Sequence, residues 1–174
     1  MDSESPADAP VRAVPPDRAT VTPWVISRDT ARLIDFVTRA FGATELGRVP
    51  NAAGGIGHAE VRIGDSVVMM FDAPGDGPGR PAFLRLYVAD GDAVYQRALD
   101  AGATSVTAMT TLFFGDRIGR VRDPLGNIWW IQTHVEDVDP AVLGRRPGDP
   151  EHAEALRYVE ESLTEALRAE GAQA

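Results

Sequence analysis

The chain has 174 residues, of which 44% are hydrophobic, and it contains no cysteine. All 17 basic side chains are arginine, so disulfides, thiolate metal sites and lysine-based chemistry are excluded. A formal net charge of −9 argues against binding to a nucleic-acid backbone, which requires a basic face. The sequence contains no apolar run of roughly 20 residues and no signal-peptide pattern, so we expect a cytoplasmic protein without membrane contact.

The N-terminal half begins with a polar segment and continues with a first structural module. Residues 1–20 are rich in Pro, Ala, Asp and Ser, which predicts a disordered tail. Residues 21–72 contain one strand, one helix and three further strands. These elements are predicted at 20–27, 28–42, 43–49, 58–63 and 66–71. Apolar residues at helical spacing define the helix, with Asp29 or Thr30 as its N-cap and Gly42 as its stop.

A second module, over residues 81–136, repeats this order. Its strand, helix and three later strands are predicted at 81–88, 91–102, 103–109, 116–123 and 128–135. The separations between matching positions support the repeat. Met69 and Trp130 are 61 positions apart, as are Thr22 and Phe83. We therefore predict an α+β fold of two tandem βαβββ modules, with helices on one face of a curved mixed sheet and a concave cavity on the other.

The remaining residues, 139–174, read as a polar linker followed by an amphipathic helix. Asp149, Pro150 and Glu151 form a favourable helix start. Leu156, Val159, Leu163 and Leu167 then recur on one helical stripe. This stripe is expected to pack on its own domain or on a partner subunit.

Several polar residues are candidates for binding or catalysis. His58 and Glu60 are two positions apart on a predicted strand, so they share one face and could act as an acid–base pair. Arg85 is expected among aromatic rings, where it would bind a ligand carboxylate or phosphate or form an ion pair with Glu60. The alternating charges at 116–123 indicate a salt-bridged strand edge followed by a turn.

The whole order of segments resembles one known superfamily. The segments IDFVTRAFGA, GHAEVRIGDS, VADGDAVYQRALDAGAT and FGDRIGRVRDPLGNIWWIQTHVEDV are similar to the vicinal oxygen chelate superfamily, which includes glyoxalase I, bleomycin-resistance proteins and extradiol dioxygenases. They are most similar to its PhnB-like branch. The resemblance covers residues 21–138, which we therefore take as one domain.

The resemblance implies where a metal would be held. In metal-dependent members, four histidine, glutamine or glutamate side chains bind a divalent metal, one from each of four strands. Those positions fall on Thr22, Met69, Phe83 and Trp130. None of these residues is a carboxylate or an imidazole, so the resemblance predicts no metal and no cofactor in this chain.

The resulting hypothesis is a metal-independent protein that binds an apolar or aromatic small molecule, with a resistance or sequestration role. The residues expected to line its cavity are Trp24, His58, Glu60, Met69, Phe83, Arg85, Tyr87, Trp130 and Gln132. Strand alternation predicts that Trp130 faces the cavity and that Trp129 packs under a helix. The resemblance also implies a homodimer.

Two other functions remain open. The first is a lyase, isomerase or dioxygenase-like enzyme that uses relocated metal ligands or acid–base chemistry at His58 and Glu60. The second is a regulatory or interaction module in which the C-terminal helix docks a partner.

Overall fold

The computed structural model describes residues 12–15, 18–75, 77 and 79–171. Most of the predicted tail, at residues 1–11, 16 and 17, lies outside the described residues. Within its described part, the Arg18 guanidinium contacts the Glu60 carboxylate. The chain immediately before the first strand is therefore held against the first module.

The elements follow the predicted order. The first module consists of β1 (Trp24–Ser27), α1 (Thr30–Phe41), β2 (Thr44–Pro50), β3 (Ile56–Ile63) and β4 (Ser66–Asp72). The second consists of β5 (Phe83–Tyr87), α2 (Gly91–Asp100), β6 (Thr104–Thr111), β7 (Asp116–Arg122) and β8 (Ile128–His134). A short helix α3 (Pro140–Leu143) and a long helix α4 (Pro150–Gly171) follow.

The strands form two separate four-stranded mixed sheets, one in each module. Their orders are β1-β4-β3-β2 and β5-β8-β7-β6, and in each sheet the first strand pairs parallel with the last. This arrangement confirms the α+β fold of tandem βαβββ modules. It also corrects the interpretation of the charged segment 116–123. This segment forms β7, an inner strand between β8 and β6, rather than a sheet edge.

The ends of α1 follow local sequence signals. The Asp29 carboxylate accepts a hydrogen bond from the backbone N–H of Arg32 at 2.9 Å, so Asp29 is the N-cap. Gly42 ends the helix in the left-handed conformation, with φ of 68°, which a residue with a Cβ adopts only at a cost. These caps fix where the chain enters β2.

One hydrophobic core connects the two modules. Helices α1 and α2 pack against each other, and each covers one face of its own sheet. Phe36 and Met70 are fully buried in the first module, and Trp129 is fully buried in the second. The ring of Phe41, at the end of α1, lies 4.8 Å from the ring of Trp129 across the module boundary. The sheet face under the helices is called the helix face below, and the opposite face the outer face.

Helix α4 packs on its own chain, against β6 and the outer face of the second sheet. Of its predicted apolar stripe, Val159 is 3% exposed and Leu167 is 48% exposed, while Leu156 and Leu163 are half-buried. Of the two predicted alternatives, packing on its own domain or on a partner subunit, the structure shows the stripe on its own domain. Within the described ranges, no helix is long and apolar enough to cross a membrane.

Candidate functional site

The outer faces of the two sheets carry matching rows of side chains. In the first sheet, Met69 on β4 pairs with Trp24 on one side and Glu60 on the other. In the second sheet, Trp130 on β8 pairs with Arg85 and Arg120 in the same way. Met69 and Trp130 thus lie at the centres of equivalent rows.

The outer face of the first sheet presents an aromatic cluster. The ring of Trp24 lies 5.4 Å from that of Phe71 in an edge-on arrangement and 5.6 Å from the imidazole of His58. Trp24 is 52% exposed. Half-buried Met69 adjoins it in the sheet. The cluster therefore offers an accessible ring face to a flat apolar molecule. Phe71 was not among the predicted site residues, although its spacing of two from Met69 places it on the same strand face.

A polar pair lies next to this cluster. His58 Nε2 is 3.3 Å from Glu60 Oε1. The same carboxylate group also contacts the Arg18 guanidinium through its other oxygen. Glu60 therefore pairs with Arg18 and His58. The ion pair between Glu60 and Arg85, which was one alternative predicted for Arg85, does not form. An imidazole beside a carboxylate is an arrangement suited to proton transfer.

The outer face of the second sheet has Trp130 as its centre. The guanidinium carbon of Arg85 lies 4.3 Å from the indole centroid, and that of Arg120 lies 4.0 Å from it. The ring of Phe83 meets the indole edge-on at 6.1 Å. The predicted alternation is confirmed, because Trp129 lies in the core while Trp130 lies on the outer face. Both arginines therefore form cation–π contacts with one indole.

Arg120 is a buried cation that the sequence interpretation missed. It is 2% exposed, and its Nη1 donates to the Thr107 hydroxyl at 3.0 Å and to the Val159 carbonyl at 2.8 Å. Burial, together with the like charge of Arg85, lowers the pKa of Arg120 to about 10. Arg120 lies opposite Trp130 in the pairing of β7 with β8, which would have identified it as a site residue. That pairing could be used only once β7 was known to be an inner strand of the sheet.

Helix α4 covers part of this second outer face. Val159 packs with Leu112 and Ile118, and half-buried Trp130 and Phe114 border the same cluster. The hydroxyl oxygens of Ser162 on α4 and Thr107 on β6 lie 2.8 Å apart and form a hydrogen bond. The helix thus occupies space in which a ligand of the second module was expected, and it leaves Phe83 and Tyr87 exposed on β5, at the opposite edge of the sheet.

Gln132 belongs to a separate polar group at the end of β8. Its Nε2 donates to the carboxylate of Asp116, which is also 2.6 Å from His134 Nδ1. His134 Nε2 lies 3.0 Å from Asp137 Oδ1. Hydrogen bonds to Asp137 and Asp116 raise the pKa of the His134 imidazole. Gln132 is thus buried and engaged with Asp116 rather than directed at an open cavity.

The four positions implied by the family resemblance do not form a metal site. Thr22 precedes β1, and its hydroxyl donates to the Ala19 carbonyl at 3.3 Å. Met69, Phe83 and Trp130 supply a thioether and two rings, which are not donors for a hard or borderline dication. In the part of the chain that the structure describes, no three His, Asp or Glu side chains form a group that could hold a metal ion.

The predicted site residues form two clusters rather than one. Trp24, His58, Glu60 and Met69 lie on the first sheet, and Phe83, Arg85, Tyr87, Trp130 and Gln132 on the second. Between the modules lies a cleft of about 560 Å³, lined by the 63–66 hairpin, β5 and Trp129. Only Arg85 and Tyr87 of the predicted residues border this cleft.

Comparison with known proteins identifies the family to which this chain is similar. The sequence model of the Glyoxalase/Bleomycin resistance protein/Dioxygenase superfamily matches residues 19–131. An uncharacterized protein of Mycobacterium tuberculosis is 41% identical over 130 residues, covering 68% of this chain and 76% of the relative. An uncharacterized protein of Mycobacterium bovis is also 41% identical over 130 residues, and that match covers 68% of this chain and 86% of the relative.

Solved structures share the fold. TioX from Micromonospora sp. ML1 is 28% identical, with a TM-score of 0.58 over 67% of this chain and 99% of TioX. A PhnB protein from Bacillus cereus is 15% identical, with a TM-score of 0.52 over 68% of this chain and all of that one (100%). In both cases the likeness covers about two thirds of this chain.

Proposed function

The chain belongs to the glyoxalase/bleomycin resistance protein/dioxygenase superfamily, and we propose that it is a binding protein for an apolar or aromatic small molecule. On this proposal it holds the ligand without a divalent metal and acts by sequestration, as in a resistance protein. The proposal extends to a cytoplasmic location and a homodimeric assembly.

The observation that carries the proposal is the exposure of large rings on both outer faces. Trp24 is 52% exposed, Phe83 49% and Tyr87 64%. Exposed rings that group beside other apolar side chains on one sheet face favour contact with a ligand or a partner. They adjoin Met69 and Trp130, which stand at positions where metal-dependent members carry ligands. Aromatic and thioether groups at the centres of both rows favour a flat apolar ligand over a chelated one.

The coverage by α4 narrows the ligand surface. Because Val159 packs beside Trp130, the accessible part of the second outer face lies toward β5, at Phe83 and Tyr87. The first outer face has no such cover among the described helices. We therefore place the main stacking surface at Trp24 and Phe71.

A homodimer would join these surfaces. A second copy that set its first sheet against the second sheet of its partner would cover the exposed rings and enclose a ligand between two aromatic walls. The apolar stripe of α4 does not support a dimer, because α4 packs mainly on its own chain. The support now comes from Trp24, Phe83 and Tyr87.

A catalytic function is the second candidate, and one observation favours it. His58 Nε2 lies 3.3 Å from Glu60 Oε1 beside the exposed ring of Trp24. A ligand stacked there would lie near an imidazole able to take or give a proton. Binding remains the preferred function, because Glu60 is also engaged by Arg18.

The test uses a neutral aromatic probe and a metal-free protein. After purification with EDTA, binding of 2-naphthamide is measured by isothermal titration calorimetry for the wild type, Trp24→Ala and Leu167→Ala. Leu167 is a matched control, since it is similarly exposed but lies on α4. We expect binding to weaken about tenfold in Trp24→Ala, since base-like stacking on one ring contributes roughly 1–3 kcal/mol, and to stay unchanged in Leu167→Ala.

Elemental analysis of protein purified without added metal tests the other half of the proposal. We expect no stoichiometric zinc, nickel, iron or manganese. One metal ion per chain that disappears in His58→Ala or Glu60→Ala would support the enzyme instead. Absence of 2-naphthamide binding at millimolar concentrations would count against the binding function.

A further inference from the structure

The row Arg85–Trp130–Arg120 contains two cations and no acidic partner. Both guanidinium groups lie within 4.3 Å of the same indole centroid. Within the described part of the chain, neither arginine forms an ion pair with a carboxylate. This is unusual for Arg120, because a charged side chain that is only 2% exposed is rarely left without a partner of opposite charge.

The hydrogen-bonding capacity of this row is also incompletely used. Nε of Arg120 and Nε1 of Trp130 are buried and have no hydrogen-bond partner among the residues that the structure describes. A buried donor without a partner costs about 1–3 kcal/mol, so native proteins rarely leave one unsatisfied. Both unpartnered atoms are donors, and they adjoin positive charge. An acceptor oxygen would satisfy them, and the two adjacent guanidinium charges favour an anionic one.

Arg120 is held in place by the protein itself. Its Nη1 is occupied by the Thr107 hydroxyl and the Val159 carbonyl, and these bonds orient the guanidinium in the row. Arg85 on the edge strand β5 is exposed, so an anion can reach the row from its side. The row thus combines a buried, oriented cation with an accessible one.

We propose that Arg85, Trp130 and Arg120 bind an oxyanion, the carboxylate or phosphate group of an aromatic ligand whose ring contacts Phe83. This inference rests on the proposed binding function and adds the class of ligand, an aromatic acid. Phe83 meets Trp130 edge-on at 6.1 Å and is half exposed, so a ring placed against it lies beside Arg85. Arginine suits this role because its planar fork matches an oxyanion.

The test compares ligands that share a naphthyl ring and differ in the charge of the polar group attached to it. Affinities of 2-naphthoate, 2-naphthyl phosphate and neutral 2-naphthamide are measured by calorimetry on the full chain. A charge-assisted hydrogen bond is expected to make at least one anion bind about tenfold or more tightly than the amide. The two anions separate a carboxylate preference from a phosphate preference.

Variants then locate the effect. Arg85→Gln is expected to remove the preference for the anion, so that the anions and the amide then bind this variant with similar affinity, and the exposed position of Arg85 keeps the fold intact. Arg39→Gln is the control, because Arg39 is an exposed arginine paired with Asp35 on α1. Arg120→Gln is measured as a second variant, with its circular dichroism spectrum checked first because Arg120 contacts α4.

The outcomes separate this inference from the proposed function. Equal affinity for the amide and both anions, or an anion preference that survives in Arg85→Gln, would overturn the oxyanion site and leave the binding function standing. Binding of none of the three compounds at millimolar concentrations would overturn both. Loss of the preference in Arg85→Gln but not in Arg39→Gln is the supporting result.

Discussion

Arg120 on β7 donates a hydrogen bond from Nη1 to the main-chain carbonyl of Val159 in the middle of α4, at 2.8 Å. The two residues are 39 positions apart. The Val159 side chain packs beside the same row, against Ile118 and Leu112. One helical position thus supplies both a polar and an apolar contact, and these contacts hold the C-terminal helix on the second sheet.

The first prediction concerns the docking of α4. Val159→Ala is expected to lower the free energy of unfolding by about 2 kcal/mol, because it removes two buried carbon atoms and leaves a cavity. Leu167→Ala, on the exposed end of the same stripe, should change it by less than about 0.5 kcal/mol. Urea unfolding followed by circular dichroism measures both. Equal effects at the two positions would mean that α4 does not dock through Val159.

The second prediction separates the two adjacent tryptophans. Trp129 is fully buried, and its Nε1 donates to Asp123 Oδ2 at 2.9 Å. Trp129→Phe removes this bond inside the core and is expected to cost about 1–3 kcal/mol. Trp130→Phe should cost less, because its Nε1 makes no hydrogen bond and phenylalanine still offers a ring to the arginines. A larger loss of stability at position 130, by urea unfolding, would contradict the assigned faces.

The third prediction is a pH dependence at His134. Asp137 and Asp116 raise the pKa of its imidazole above the ordinary value near 6.5. The stabilisation from charged His134 is therefore complete below about pH 6.5 and is lost as the pH rises through the higher folded-state pKa. His134→Gln should destabilise the protein at pH 5.5 more than at pH 9.

Two measurements check this third prediction. An NMR titration of the His134 imidazole protons should give a pKa above the ordinary value near 6.5, and urea unfolding at both pH values gives the stability difference. A pKa below the ordinary value, or an equal effect of His134→Gln at both pH values, would refute the predicted role of the two carboxylates.

The fourth prediction is the dimer. The mass of one chain is 18.7 kDa. Light scattering at micromolar concentration is expected to give twice that mass. Phe83→Glu should convert the dimer to a monomer, because it places a charge among the exposed rings. Leu167→Glu is the control and should leave the mass unchanged. A wild-type monomer would show that Trp24, Phe83 and Tyr87 face solvent or ligand rather than a second copy.

Much of this architecture can be deduced from local patterns. Capping residues such as Asp29 and Gly42 mark helix ends, because the backbone groups there need particular partners and angles. Alternation assigned Trp129 and Trp130 to opposite faces, since side chains in a strand have a period of two. The 61-residue separation of Met69 and Trp130 predicted the equivalent rows at whose centres both residues lie.

The placement of the outer-face residues could not be deduced in this way. Arg120 looks like one charge in an exposed run until β7 is known to lie between two strands and under α4. The amphipathic stripe of α4 shows that one face is covered, but its pattern is the same whether the cover is its own sheet or another chain. That choice depends on contacts between distant segments, such as Thr107 with Ser162 across 55 residues. Local periodicity specifies which face of an element is buried, and only the three-dimensional packing specifies what buries it.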